Sequence, residues 1–127
     1  MSKSNHLHLT LNEFAKKKNI NLNISEGASI LTTSEDKEIW LEYPKDGELF
    51  IIHMAVLDNI SELRNSTSYE NLLKINANIE KNRGAWFAIH ETTRSLRLCV
   101  ALPVDTINFS VIDTSIQHII HLAKDVM

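Results

Sequence analysis

The chain has 127 residues, of which 43% are hydrophobic and 23% charged, and its 13 basic and 16 acidic residues give a net charge of −3. This length predicts a single domain over residues 1–127, and the composition excludes disordered and collagen-like chains. The acidic balance lacks the concentrated basic surface that nucleic acid requires, so we expect no nucleic-acid partner.

The compartment is indicated by the cysteine count and by the apolar segments. With one cysteine, Cys99, the sequence excludes an internal disulfide framework and fits a reducing compartment. The N-terminal residues are polar, and no apolar run approaches the length of a membrane span. We therefore expect a soluble, cytoplasmic protein with no membrane partner.

A first helix is predicted from about Leu11 to Lys18. Thr10 and Glu13 have the spacing of a capping box, in which each side chain bonds to the backbone of the other residue. Phe14 and Ala15 lie on the same face as Leu11 at helical spacing, which predicts an apolar stripe.

Three strands are predicted next, and in the second of them apolar residues alternate with charged or aromatic ones with a period of two. The third strand is apolar on both faces, so we expect it to be central or covered on both sides. Turn residues at Pro44–Gly47 predict a hairpin between the second and third strands. The predicted bounds are about Ala28–Thr33, Glu38–Tyr43 and Glu48–Leu57.

The second half predicts a helix, two strands and a long final helix. A second capping-box pattern at Thr67 and Glu70 opens the middle helix, and Gly84 ends it. The order αβββαββα predicts an α+β fold with a twisted antiparallel sheet packed by helices. The predicted bounds are about Ala85–His90 and Ser95–Leu102 for the strands and Asn108–Val126 for the helix.

The sequence carries little evidence of catalysis. It lacks a glycine-rich phosphate loop, a nucleophile elbow and a zinc-protease motif, so we expect no cofactor and no catalytic residue. His118 and His121 lie three residues apart on the last helix, but no cysteine or carboxylate completes a metal-ligand pattern, so no metal is expected. His53 and His90 fit core or interface imidazoles better than general bases. An enzyme that uses either histidine is the least supported alternative.

The strand after Gly84 is apolar on both of its faces. Trp86 and Ala88 point to one side, and Phe87 and Ile89 point to the other. The chain's own helices can cover one side, whereas the other needs either the middle helix or a second molecule. We favour a symmetric homodimer, because small domains with surplus apolar surface commonly pair in this way. The predicted dimer interface comprises Leu73, Asn76, Ala77, Trp86 and Ala88.

The segment from Leu72 to Asp105 resembles the class I type III secretion chaperones, the Tir-chaperone family. In that family a helix with two leucines and a later asparagine reaches a glycine, an apolar strand, a short loop and a strand that closes in Leu-Pro-Leu/Val-Asp. The matching features here are Leu72, Leu73, Asn76, Gly84, the strands around Trp86 and Leu98, and Leu102–Asp105. The chain length and the order αβββαββα extend the resemblance over nearly the whole sequence.

The resemblance implies a homodimeric cytoplasmic chaperone of Gram-negative bacteria. Such a chaperone binds the N-terminal segment of a secreted effector in extended form, without ATP, and keeps it competent for secretion. The predicted effector-binding groove comprises Leu11, Phe14, Ala15, Ile30, Trp40 and Ile52. The same side chains also suit ordinary packing of a helix on a sheet. The alternative function is a dimeric regulatory or adaptor protein of the same fold that binds a folded partner.

Overall fold

The computed structural model describes residues 3–22, 27–43, 47–63 and 69–126. Within these ranges the chain forms four α-helices, five β-strands and two short 3-10 helices. The α-helices are α1 (Lys3–Lys18), α2 (Tyr69–Ala77), α3 (Ile79–Asn82) and α4 (Phe109–Val126). The strands are β1 (Ala28–Thr32), β2 (Glu38–Glu42), β3 (Leu49–Leu57), β4 (Trp86–His90) and β5 (Ser95–Pro103). The 3-10 helices are Ile60–Glu62 and Val104–Thr106.

All five strands belong to one antiparallel sheet with the order β1-β2-β3-β5-β4. The doubly apolar strand β3 lies at the centre, which confirms the prediction from its composition. The α+β fold and the predicted order αβββαββα are confirmed as well, with the middle helix divided into α2 and α3.

One face of the sheet carries the hydrophobic core. Leu41, Ile52 and Val100 lie directly opposite one another on β2, β3 and β5, and each is at most 5% exposed. The buried side chains of α1 and α4 belong to the same cluster, and the rings of Phe14 and Phe109 lie 5.6 Å apart. These two helices therefore supply the apolar layer that this face requires.

Helix α1 begins earlier than predicted. Leu7 is buried one turn before Leu11, so the apolar stripe already starts in front of Thr10. Thr10 is itself a buried residue inside the helix, and Glu13 pairs with Lys17 at 3.1 Å. The predicted capping box at Thr10 is therefore wrong, because tertiary burial of Leu7 extends the helix through the apparent cap.

The middle helix is interrupted at Asn78. The side chain of Asn78 accepts a hydrogen bond from Lys81 N at 3.2 Å and so caps α3 as a separate short helix. Arg83 and Gly84 then adopt left-handed backbone conformations, with φ of 52° and 85°, which confirms the predicted helix end. Thr67 of the second capping box and Pro44–Asp46 of the predicted turn lie outside the described residues.

Helix α4 buries one stripe along its length. Ile112, Ile116 and Ile119 are at most 3% exposed, as the sequence predicts. Leu122 is buried as well, whereas Ile120 is only partly buried at the edge of the core. Among the helices of the described ranges, none has the length and apolar content needed to cross a membrane.

Candidate partner-binding surfaces

Three residues of the predicted effector groove lie in the core of the chain itself. Leu11, Phe14 and Ile52 have 0% exposure and belong to the cluster that α1, α4 and the sheet form together. A partner reaches these side chains only if this core opens. Ala15 lies beside the stripe and is half-buried.

The remaining two groove residues lie on the opposite face of the sheet. Ile30 pairs with Trp40 across β1 and β2, and Ile30 is 47% exposed. Ile52 follows the opposite alternation and points to the helices. The six residues therefore do not form one surface.

The face opposite α1 and α4 carries a continuous row of side chains across all five strands. The register places Ile30, Trp40, His53, Cys99 and Trp86 side by side. Trp40 was predicted in the groove and Trp86 in the dimer interface, yet both lie in this row. Sequence alternation gives the side of each residue within its own strand. It does not show that β5 lies between β3 and β4, and only this strand order brings the two tryptophans into one row.

A polar network lies in the middle of this face. Arg97 Nε donates a hydrogen bond to His53 Nδ1 at 2.7 Å, and His53 Nε2 lies 3.3 Å from Glu42 Oε2. Trp40 stacks on the imidazole with 5.7 Å between ring centroids, and the guanidinium carbon of Arg97 lies 5.3 Å from the Trp40 ring. His53 and Arg97 are thus buried with partners, in agreement with the interpretation of His53 as a packed imidazole.

Burial shifts the acid–base properties of this network. Desolvation lowers the pKa of His53, the nearby charge of Arg97 lowers it further, and Glu42 opposes both effects. Burial also raises the pKa of the Cys99 thiol to about 11, although Arg97 acts in the opposite direction. On this face burial therefore disfavours the charged form of both the imidazole and the thiol. Within the described ranges, no three histidine, cysteine or acidic side chains cluster as metal ligands.

The predicted dimer-interface residues lie on α2 and β4. Leu73 is 67% exposed, Trp86 is 38% exposed, Ala77 is exposed and Ala88 is half-buried. Asn76 differs from these four, because its amide is bonded within the protomer. Its Nδ2 donates to Phe87 O at 3.2 Å, and Phe87 N donates to its Oδ1 at 2.7 Å.

Strand β1 forms one edge of the sheet, and β4 forms the opposite edge. Gly27 O accepts from Tyr43 N at 2.8 Å, and Thr33 N donates to Lys37 O at 2.9 Å, so odd-numbered residues pair with β2. The backbone groups of Ala28, Ile30 and Thr32 therefore point outwards. Among the described residues, none bonds to them.

A groove of about 730 Å³ runs beside this edge, between β1, the end of α1 and α4. Ion pairs lie on its rim, with Lys18 Nζ 2.7 Å from Asp113 Oδ1 and Lys124 Nζ 3.0 Å from Glu35 Oε1. Phe14 lies behind the lining and is not itself exposed. The apolar lining comprises Ile20, Leu31, Ile116 and Ile120. The i, i+4 spacing of Ile116 and Ile120 is visible in the sequence, but that spacing alone does not show that the two residues line a groove.

Among the described residues, an outward-facing strand edge beside an apolar groove has the geometry to which an extended polypeptide can add as a further strand, as in polypeptide-binding modules. A sequence model of the Tir chaperone protein (CesT) family matches residues 10–127. The chain therefore belongs to this family of type III secretion chaperones. This confirms the resemblance found between Leu72 and Asp105.

Solved structures with the same fold support this assignment. A chain of the ExsC–ExsE complex superposes with a TM-score of 0.78 at 17% identity, covering 97% of this chain and 92% of that one. The HopA1–SchA chaperone–effector complex gives a TM-score of 0.78 at 12% identity, with coverages of 99% and 97%. The heterodimeric ExoU–SpcU complex from the type III secretion system of Pseudomonas aeruginosa gives 0.72 at 12% identity, with coverages of 90% and 92%. No curated protein sequence matches the chain significantly.

Proposed function

We propose that this chaperone holds an extended, unfolded segment of a secreted effector along the outer edge of β1. The observation that carries the proposal is the outward-facing backbone of Ala28, Ile30 and Thr32, which has no hydrogen-bond partner within the described ranges and lies beside the apolar groove. An added strand forms main-chain hydrogen bonds with these residues and directs alternate side chains into the groove. The HopA1–SchA neighbour is described as a chaperone–effector complex, which supports an effector as the partner.

The proposal includes ATP independence and a cytoplasmic location. The sequence has 3 glycines, and none belongs to a phosphate-binding loop pattern. Its one cysteine fits a reducing compartment. Binding energy in this scheme comes from strand pairing and apolar burial, so release requires competition by the export machinery and no hydrolysis step.

The proposal also includes a homodimer formed through α2 and β4. Tyr69 and Leu73 lie one turn apart on α2 and are 53% and 67% exposed, and Trp86 on β4 is 38% exposed. Exposed apolar residues that cluster on neighbouring elements are typical of an interface. A symmetric pair buries this surface on both copies at once.

The experiment starts with affinity capture from the native host and mass spectrometry. The captured partner's N-terminal segment is then titrated into the chaperone by calorimetry at several temperatures. An extended segment that becomes ordered on binding gives a strongly negative heat-capacity change. A folded cytoplasmic partner that binds without such a change supports the adaptor alternative and contradicts the proposal.

A pair of proline variants locates the binding edge. Ile30→Pro removes an outward-facing N–H from β1 and leaves the hydrogen bonds between β1 and β2 intact. We expect affinity for the segment to fall by roughly tenfold or more, since a main-chain hydrogen bond is lost at the centre of the added strand. Ile89→Pro is the matched control, because the backbone N–H of Ile89 also points away from the sheet, at the β4 edge. The two residues are similarly exposed, Ile89 at 42% and Ile30 at 47%. Equal affinities for the two variants would remove β1 from the binding site.

A further inference from the structure

The two edges of the sheet differ in how their backbone groups are bonded. On β4, the side-chain amide of Asn76 donates to Phe87 O and accepts from Phe87 N, at 3.2 and 2.7 Å. A carboxamide has the same donor and acceptor as a peptide group. Asn76 therefore makes the two hydrogen bonds that a neighbouring strand would make at this position.

These two hydrogen bonds obstruct strand pairing because Phe87 lies within the outer edge of β4. Phe87 is the second residue of the five-residue strand Trp86–His90, and its backbone faces away from β5. A strand that pairs with β4 over its length must take these groups and displace Asn76. The backbone of Ile89 also points away from β5, and its side chain is 42% exposed. Without Asn76, this edge would therefore present an apolar template for strand addition.

A chain of contacts from α4 holds Asn76 in place. His118 Nε2 donates to Asn82 O at 2.7 Å, and Asn82 Nδ2 donates to Ile75 O, the residue before Asn76. Asn82 is 1% exposed, so this connection runs through the interior. The last turn of α2 is thereby fixed beside β4, with Asn76 aimed at the strand.

We propose that Asn76 closes the β4 edge to strand addition and so makes the sheet accept an added strand on the β1 side alone. The one-sidedness rests on the proposed binding of extended chain at β1. The closure of β4 is a property of the effector-free protein and is tested without an effector. Asn76 acts as a positioning residue, since it need not touch the bound segment.

The first test compares amide hydrogen exchange at Phe87 and Ile30 in the partner-free protein by NMR. Both amides face outwards on edge strands, but only Phe87 N has a bonding partner among the described residues. After correction for intrinsic rates, we expect Phe87 to exchange roughly tenfold or more slowly than Ile30. Equal exchange rates would overturn the proposal, and this comparison requires no variant.

The second test opens the edge by mutation. Asn76→Ala should accelerate exchange at Phe87 by roughly tenfold and give assemblies larger than the wild-type species in light scattering as the concentration rises. Asn12→Ala, at an exposed position of α1, is the matched control and should leave both measurements unchanged. Adding Ile89→Pro to Asn76→Ala should restore the wild-type assembly, because proline removes a donor from the opened edge.

The outcomes separate the two proposals. Wild-type assembly and unchanged Phe87 exchange in a folded Asn76→Ala variant would overturn the closure, whatever the result at Ile30→Pro. Loss of effector binding in Ile30→Pro bears on the β1 edge alone. If Asn76→Ala does not fold, equal exchange at Phe87 and Ile30 in the wild type would still overturn the closure. Slower exchange at Phe87 that persists in Leu73→Glu, whose added charge disfavours the proposed dimer, would support it.

Discussion

Arg97 Nε and His53 Nδ1 are joined by a 2.7 Å hydrogen bond on the sheet face opposite α1 and α4. An arginine donates and cannot accept, so His53 Nδ1 is the acceptor and carries no proton. The imidazole proton therefore lies on Nε2, towards Glu42 at 3.3 Å. Protonation of His53 places two N–H groups against each other and breaks this arrangement.

We predict that the protein becomes less stable as the pH falls below 6.5, the ordinary pKa of histidine. The pKa of His53 is lowered in the folded chain, so the unfolded chain binds more protons in this range. The contribution of His53 is complete above pH 6.5 and is lost as the pH falls through its lowered pKa. Arg97 and His90 lower that pKa and Glu42 raises it, so the effect is a net result of three neighbours and of burial.

Urea unfolding at pH 7.5 and pH 5.5 measures this effect. His53→Gln should show a smaller loss of unfolding free energy between the two pH values than the wild type. His8→Gln, at an exposed position of α1, is the control and should keep the wild-type dependence. An identical pH dependence in wild type and His53→Gln would exclude His53 as its source.

We predict that Cys99 reacts slowly with thiol reagents although its side chain is only partly covered. Its pKa of about 11 compares with an ordinary value of 9.0, because burial disfavours the thiolate. At pH 8 the thiolate fraction falls by about 100-fold, and alkylation slows in proportion. Mass spectrometry of iodoacetamide-treated chain, folded and in urea, gives the two rates; similar rates would contradict the raised pKa.

We predict that Phe14 contributes mainly to stability. Its side chain has no exposed area, so Phe14→Ala should lower the unfolding free energy by about 3–5 kcal/mol. Ile30→Ala, at a residue that is 47% exposed, should cost less than about 1 kcal/mol. Urea titration of the partner-free variants measures both. Near-wild-type stability of Phe14→Ala would contradict a mainly structural role and would favour the prediction that Phe14 contacts the effector.

We predict a homodimer that depends on α2. Light scattering at low micromolar concentration should give twice the chain mass of 14.5 kDa. Leu73→Glu should shift the protein to monomer, because the interface would then bury an unpaired charge. Leu9→Glu is the matched control, since Leu9 is 61% exposed on α1 compared with 67% for Leu73. A monomeric wild type would contradict the homodimer, whereas dimers of both variants would place the interface elsewhere.

The elements that the sequence predicted well are those with a strong local period. The alternation in Ser95–Pro103 and the stripe of Ile112, Ile116 and Ile119 each define their element without reference to the rest of the chain. The start of α1 was missed because Thr10 and Glu13 imitate a cap locally, whereas the burial of Leu7 that extends the helix is a tertiary effect. The interruption at Asn78 was missed because an asparagine cap inside a helical pattern resembles an ordinary polar position.

The candidate surfaces were predicted less completely, for a related reason. Apolar composition led to the prediction that Trp40 and Ile52 contact the partner, but it did not show that they lie on opposite faces of the sheet. The groove beside β1 is lined by residues that are far apart in the sequence, such as Leu31 and Ile120. Its existence depends on how α4 packs on β3, β5 and α1 while leaving space beside β1, for which the sequence has no local signal.

In the proposed binding mode, the outer edge of β1 determines which features its ligands must have in common. Five residues of extended strand span about 17 Å, at roughly 3.3 Å per residue. Peptide groups are the same in every sequence, so this edge distinguishes a segment by its length and by the apolar character of every second residue. A ligand can therefore change most of its side chains over evolutionary time and still be bound, provided that this short alternation persists.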